Sequence, residues 1–155
     1  MSSLPKRDVD RMLKAASAAQ GRARCVYSHF PVGAAILGAS GRVYPGCNIE
    51  SRTLIHHVCA ERAAIFNAIS HGERALVAAC ILSPTAYPCG TCRQALLEFL
   101  EEGAPLYTVL EDPRTGRRRM TKTTALELLP HAYTEKDLEA GARVGGRGRE
   151  KRRKG

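Results

Sequence analysis

Two short stretches hold the side chains best suited to chemistry: Cys59-Ala60-Glu61-Arg62 and Pro88-Cys89-Gly90-Thr91-Cys92-Arg93. Cys89 and Cys92 sit three positions apart at the start of a helix. Their sulfurs therefore lie about one turn apart on the same side, as a chelating pair. A third thiolate from Cys59 gives three protein ligands and leaves one coordination position open. Three ligands plus water is the pattern of catalytic zinc, whereas structural zinc sites are usually closed by four. Three thiolates around Zn2+ leave an excess of negative charge. Two helix N-termini directed at the site offset it and depress the thiol pKa values. Arg62 and Arg93, next to the ligands, are expected to donate to the sulfurs from outside the coordination sphere. Glu61 is close enough to Cys59 to lean over the open position. A carboxylate beside a polarised water serves as general base and then as general acid.

Several elements must position these groups. A helix is expected over residues 8–19, with Val9, Met12, Leu13 and Ala16 on one face and Asp8 as its N-cap. Pro31 keeps Tyr27 to Pro31 in a loop. Val32 to Leu37 and Arg42 to Tyr44 form a hairpin across Ser40-Gly41. A second helix starts near Cys59 and ends at His71-Gly72. Leu76 to Leu82 is a buried strand, followed by a loop between Pro84 and Pro88. A third helix starts near Cys89 and stops at Gly103. Leu106 to Leu110 and Arg117 to Met120 are strands on either side of the Asp112–Gly116 turn, and Thr124 to Leu129 is a short helix stopped by Pro130. The alternation of helices and strands predicts an α/β fold, a mixed five-stranded sheet sandwiched by helices.

The chain has 155 residues, enough for one catalytic domain and too few for two. Its longest apolar run, Ala75 to Leu82, is far short of the ~20 residues of a membrane span. The N-terminal Met-Ser-Ser-Leu-Pro-Lys-Arg-Asp has no apolar core, so no secretory leader is expected. A reducing, cytoplasmic location is expected, which favours metal ligation or buried thiols over disulfides for the six cysteines. Cys25, Cys47 and Cys80 are expected to be buried small apolar groups. Net charge is +9, but residues 141–155 hold seven basic residues against Glu150. That tail supplies +6, leaving +3 for residues 1–140. The expected division is a catalytic domain over 1–140 and a disordered basic Gly/Arg tail over 141–155, able to bind nucleic acid only weakly.

Taken alone, Cys-x-x-Cys reads equally as half of a structural zinc site or as a redox pair, and Cys-x-Glu says almost nothing. Together, with Pro88 before Cys89, they form the zinc deaminase arrangement. The likeness extends to Tyr27-Ser28-His29-Phe30-Pro31-Val32-Gly33-Ala34-Ala35, to Gly46-Cys47-Asn48-Ile49-Glu50 and to Leu128-Leu129-Pro130. In order and spacing, from roughly residue 8 to residue 138, the chain resembles the small cytidine deaminases with a three-cysteine zinc site. The resemblance implies a zinc-dependent hydrolase of pyrimidine salvage that converts cytidine or deoxycytidine to uridine or deoxyuridine and releases ammonia. It implies that Cys59, Cys89 and Cys92 bind Zn2+, that Glu61 shuttles protons, that Phe30 packs on the pyrimidine and that Ala60 offers its backbone to the base. Asn48 and Glu50 would hydrogen-bond the ribose hydroxyl, and an extended segment lets both face one side. It also implies a homotetramer, with Tyr133 near a neighbouring subunit's pocket.

The chain departs from the family after Glu50. Ser51-Arg52-Thr53-Leu54 stands where Asn-Ala-Ser/Ala-Tyr is common, and His56-His57 precede Cys59 as loop or interface residues rather than ligands. The departure leaves the chemistry intact and opens the choice of substrate. A modified cytosine nucleoside of the blasticidin kind, or a nucleotide whose phosphate meets Arg52, is the alternative. A non-catalytic zinc module binding RNA through the tail is a third reading, but it gives Glu61 nothing to do.

Overall fold

The computed structural model describes residues 4–142. Its elements run α1 (Lys6–Gln20), β1 (Gly33–Gly38), β2 (Val43–Cys47), α2 (Ala60–Ser70), β3 (Leu76–Ser83), α3 (Gly90–Phe99), β4 (Leu106–Glu111), β5 (Arg118–Thr123) and α4 (Ala125–Leu128). The strands form one five-stranded sheet in the order β2-β1-β3-β4-β5. The β3–β4 pair is parallel and the other pairs are antiparallel. The expected mixed sheet between helices is what the chain forms.

Alternation along the central strands builds two cores. Ala35, Leu37, Ala78, Cys80, Leu82, Tyr107 and Val109 face Met12 and Ala16 of α1. Ala34, Ile36, Ala79, Ile81 and Leu106 face Ile65, Ala68 and Leu96 of α2 and α3. Covered on both faces, β3 is an unbroken apolar run from Leu76 to Leu82. Gly33 lets α1 cross β1 closely, because a Cβ there would lie 1.9 Å from the Ala16 carbonyl oxygen.

Several boundaries differ from expectation. The first helix begins at Lys6 after Pro5, so Asp8 lies in its first turn and pairs with Arg11 at 2.9 Å rather than capping it. The third helix ends at Phe99, before Gly103. Leu100 turns extended and bridges to Leu76, and the Glu101 N–H donates to the Leu76 carbonyl at 2.9 Å. The second strand runs on to Cys47, with Pro45 tolerated because β2 is a sheet edge. Cys80 is buried, and burial pushes its thiol up to about 12, but Cys25 and Cys47 are only half-buried, because Cys25 lies in the surface loop over 21–31 and Cys47 packs beside it. A helical segment over 135–142 was not expected. Thr134 and Asp137 initiate it, the Asp137 carboxylate accepting from the Thr134 N–H at 2.8 Å and from its hydroxyl at 2.6 Å. Residues 143–155, most of the expected tail, lie outside the described residues.

Candidate active site

The parallel unit β3–α3–β4 and the helix α2 bring the two motifs together. Cys59 is the N-cap of α2 and Cys89 the N-cap of α3, both extended, and Cys92 lies in the first turn of α3. Neither cap closes its helix end with its side chain. The positive poles of two helices therefore remain directed at the sulfurs. Gly46 sets the approach of α2. A Cβ there would lie 2.3 Å from the Ala64 nitrogen and 2.6 Å from the Ala60 carbonyl oxygen, so β2 touches the first turns of the helix that carries Cys59 and Glu61.

The Cys59, Cys89 and Cys92 sulfurs all lie within 4.8 Å of one another, with Cys59 and Cys89 4.0 Å apart. Tetrahedral zinc with Zn–S bonds of about 2.3 Å places its sulfurs ~3.8 Å apart, so the cluster fits that ion. Cys59 is held down to about 5, chiefly by the hydrogen bond from Cys92 and also by Arg62, against the effect of burial. The same bond, with burial, pushes Cys92 upward. Burial is the largest single influence on Arg62 and works against its charge, but the Cys59 and Cys92 sulfurs together outweigh it and raise its pKa. Its Nε is buried without a hydrogen-bond partner, as suits a cation whose counterpart is a thiolate-rich centre. Arg93 behaves differently from its expected role. Its Nε donates to the Pro88 carbonyl at 2.7 Å and its Nη1 to the Leu128 carbonyl at 3.0 Å, so it ties the residue before Cys89 to α4.

Glu61 lies in the first turn of α2 and is 4% exposed. Burial, reinforced by the charge of Cys59, raises its carboxyl above the ordinary carboxylate range. Ala60 is fully buried beside it.

The remaining expected residues meet at the loop before β1, which carries Phe30 and against which Asn48 and Glu50, just after β2, are bonded. The Asn48 side chain accepts from the Val32 N–H at 2.8 Å and donates to the Phe30 carbonyl at 2.9 Å. Buried Glu50 accepts from the N–H groups of Tyr27 at 2.7 Å and Ser28 at 3.2 Å, and from the Ser28 hydroxyl. The Ser28 hydroxyl bond comes first among the causes that hold its carboxyl below the ordinary range, and the charge of His57 contributes. Both side chains therefore brace the Phe30 loop, and each keeps acceptor or donor capacity for a further partner. Sequence reasoning missed Tyr27 and Ser28 as the partners of Glu50. No local signal could have shown them, because the pairing spans more than twenty residues.

Phe30 is half-buried and follows His29, whose φ is 53°. His56 is exposed, the His57 ring bonds the Ser51 carbonyl at 2.9 Å, and neither belongs to the sulfur cluster. Arg52 and Leu54 are exposed, and Leu54 adopts a φ of 61°. Tyr133 is 58% exposed.

Residues 6–104 match the family described as the cytidine and deoxycytidylate deaminase zinc-binding region. A cytidine deaminase of Sporosarcina psychrophila is 37% identical over 138 residues, covering 87% of this chain and 98% of its own. The crystal structure of cytidine deaminase from Burkholderia pseudomallei superposes with a TM-score of 0.69 at 34% identity, covering 80% of this chain and 98% of that one. That of Mycobacterium tuberculosis gives 0.65 at 33% identity over 82% of this chain and 98% of the other. With its sulfur cluster inside the matched region, the chain belongs to the cytidine deaminase family, and Cys59, Cys89 and Cys92 form its zinc-binding centre.

Proposed function

We propose that the chain catalyses hydrolytic deamination of cytidine and deoxycytidine, replacing the 4-amino group by the oxygen of water and releasing ammonia. One observation carries the mechanism: a buried carboxyl of raised pKa, Glu61, stands in the first helical turn after Cys59, beside three clustered sulfurs. Cys59, Cys89 and Cys92 would hold zinc, which would supply a Lewis acid able to make water acidic near neutral pH. Glu61 is the residue placed to receive that proton. It passes that proton to the pyrimidine N3, then takes the proton of the new C4 hydroxyl and delivers it to the amine, which leaves as ammonia while C4 becomes a carbonyl. Arg62 offsets the charge of the thiolates without binding the ion.

Phe30 packs against the pyrimidine and Ala60 offers backbone contacts to it. Asn48 and Glu50 use their remaining hydrogen-bonding capacity on the sugar while holding the Phe30 loop in place. The chain works as a homotetramer in the cytoplasm. Supporting the assembly, large apolar side chains lie open on α2 and on the loop before it, with Ile55 84%, Phe66 48% and Ile69 43% exposed. Among the described residues, no helix is long and apolar enough to cross a membrane.

The experiment is direct. Purified protein carrying one zinc per chain is mixed with cytidine, and the fall in ultraviolet absorbance is followed together with ammonia release. Stoichiometric ammonia and uridine support the reading. Zinc-loaded protein that leaves both cytidine and deoxycytidine unchanged contradicts it.

A further inference from the structure

We infer that the β4–β5 hairpin carries a second binding site, for a small phosphate-bearing anion. A groove of about 750 Å³ lies between the hairpin and the residues that follow β3. Pro84, Thr85 and Leu110 supply uncharged lining, and Arg114, Arg117, Arg118 and Arg119 supply four guanidinium groups. It shares no residue with the sulfur cluster.

The charges there are unevenly used. Arg118 is paired with Glu111 and also reaches the Ser17 hydroxyl at 3.4 Å. Asp112, the acid in the groove lining, is engaged in shaping the turn, accepting from the N–H groups of Arg114 at 2.8 Å and Thr115 at 3.3 Å. Arg114, Arg117 and Arg119 have no ion pair among the described residues. Residues 1–140 carry a net charge of only +3, so three unpaired guanidinium groups in one groove form a marked local concentration of positive charge.

The chemistry of the fork selects the ligand. Guanidinium matches phosphate oxygens in a bidentate geometry, and several of them together favour a multiply charged phosphate over a monovalent anion. Among the described residues, no aromatic side chain lines the groove, so recognition rests on phosphate rather than on a stacked base. The volume falls within the range of about 300–1,000 Å³ typical of small-molecule sites, which favours a compact polyphosphate over a polymer. Charged residues on an edge strand also deter pairing with other chains. That role does not extend to Arg114 and Arg117, which precede β5 in the turn.

The test is isothermal titration of the full-length, zinc-loaded chain with inorganic tripolyphosphate at fixed ionic strength, comparing wild type with R117E/R119E. Residues 143–155 are common to both proteins, so any difference reports the groove. Saturable one-site binding is expected in wild type. It should weaken by roughly 100-fold or more in the variant, since two charge-assisted contacts are lost and two repulsions added. Melting temperature, zinc content and cytidine turnover should be unchanged. If the double reversal fails to fold, R117Q/R119Q should show the same direction with a smaller loss. A nucleoside triphosphate binding no more tightly than tripolyphosphate agrees with recognition through phosphate. Equal affinity in wild type and a folded variant, or no saturable binding, overturns the site. A single-stranded oligonucleotide that outcompetes tripolyphosphate in the groove overturns the small-anion assignment.

Discussion

Asn48 and Val32 are joined by two reciprocal hydrogen bonds: Asn48 Oδ1 accepts from the Val32 N–H at 2.8 Å, and the Val32 carbonyl accepts from the Asn48 N–H at 3.2 Å. The Asn48 side chain also holds the Phe30 carbonyl, so one amide fixes both ends of the segment that presents the Phe30 ring. Asn48→Ala keeps the backbone bond and loses the other two. It should cost about 1–3 kcal/mol of stability, the penalty of leaving partly buried groups unpaired. KM for cytidine should rise more than kcat falls, because a loosened loop affects binding before proton transfer. Thermal melting and steady-state kinetics check both, and an unchanged KM would show that the amide does not govern the pocket.

Glu50 predicts a pH effect. Its carboxyl is held below the ordinary value, first by the Ser28 hydroxyl and then by backbone N–H groups. A carboxyl with a lowered folded-state pKa stabilises the fold above its unfolded value, about 4.3. That contribution is lost as pH falls through the folded value. Glu50→Gln should therefore be less stable than wild type at neutral pH, and the gap should narrow as pH drops below about 4.3. Urea unfolding between pH 3 and 7 measures it. Zinc release in acid affects both proteins alike, and a gap that widens on acidification would reverse the assigned sign.

Gly46 and Gly33 separate the role of positioning from that of packing. A Cβ at either would meet backbone, at Ala64 and Ala60 in the first case and at Ala16 in the second. Both alanine variants should lose about 1–3 kcal/mol or more to overpacking. Only Gly46→Ala displaces the start of α2, which carries Cys59 and Glu61. It should lose zinc to a chelator faster than Gly33→Ala at matched stability. Equal rates of zinc loss would mean that the Gly46 contact does not set the geometry of the centre.

How far the sequence reveals the molecule follows from the range of each interaction. The starts of α2 and α3 are legible because their N-caps are the ligand cysteines, and the last short helix because Thr124 and Glu127 form a capping box. The end of α3 is hidden, since it depends on Leu100 pairing with Leu76 across the sheet. The segment over 135–142 has a readable signal, Thr134 three residues before Asp137, which is easily passed over beyond Pro130. In the site, the three cysteines and Glu61 are legible because their two motifs together form the zinc deaminase arrangement, which neither motif carries alone. The occupation of Asn48, Glu50 and Arg93 by bonds to Val32, Tyr27, Ser28, Pro88 and Leu128 cannot, because those partners, mostly distant in sequence, are set by the fold.

Arg52 is exposed on the loop before Cys59 and has no ion pair among the described residues. Arg52→Ala should change kcat/KM for cytidine, deoxycytidine and their monophosphates together or not at all. A wild-type preference for a monophosphate that disappears in the variant would reassign the substrate to a nucleotide.

The central claim is that Glu61 moves protons and does not bind zinc. Glu61→Gln keeps the size and burial of the side chain and removes its ability to take up a proton. The measurement is zinc stoichiometry by elemental analysis together with kcat for cytidine on the same preparation. The variant should retain one zinc per chain while kcat falls by at least about 10²–10⁴-fold, the usual worth of general acid–base catalysis. Turnover within tenfold of wild type at full zinc occupancy, or loss of the metal from a folded variant, would contradict that role.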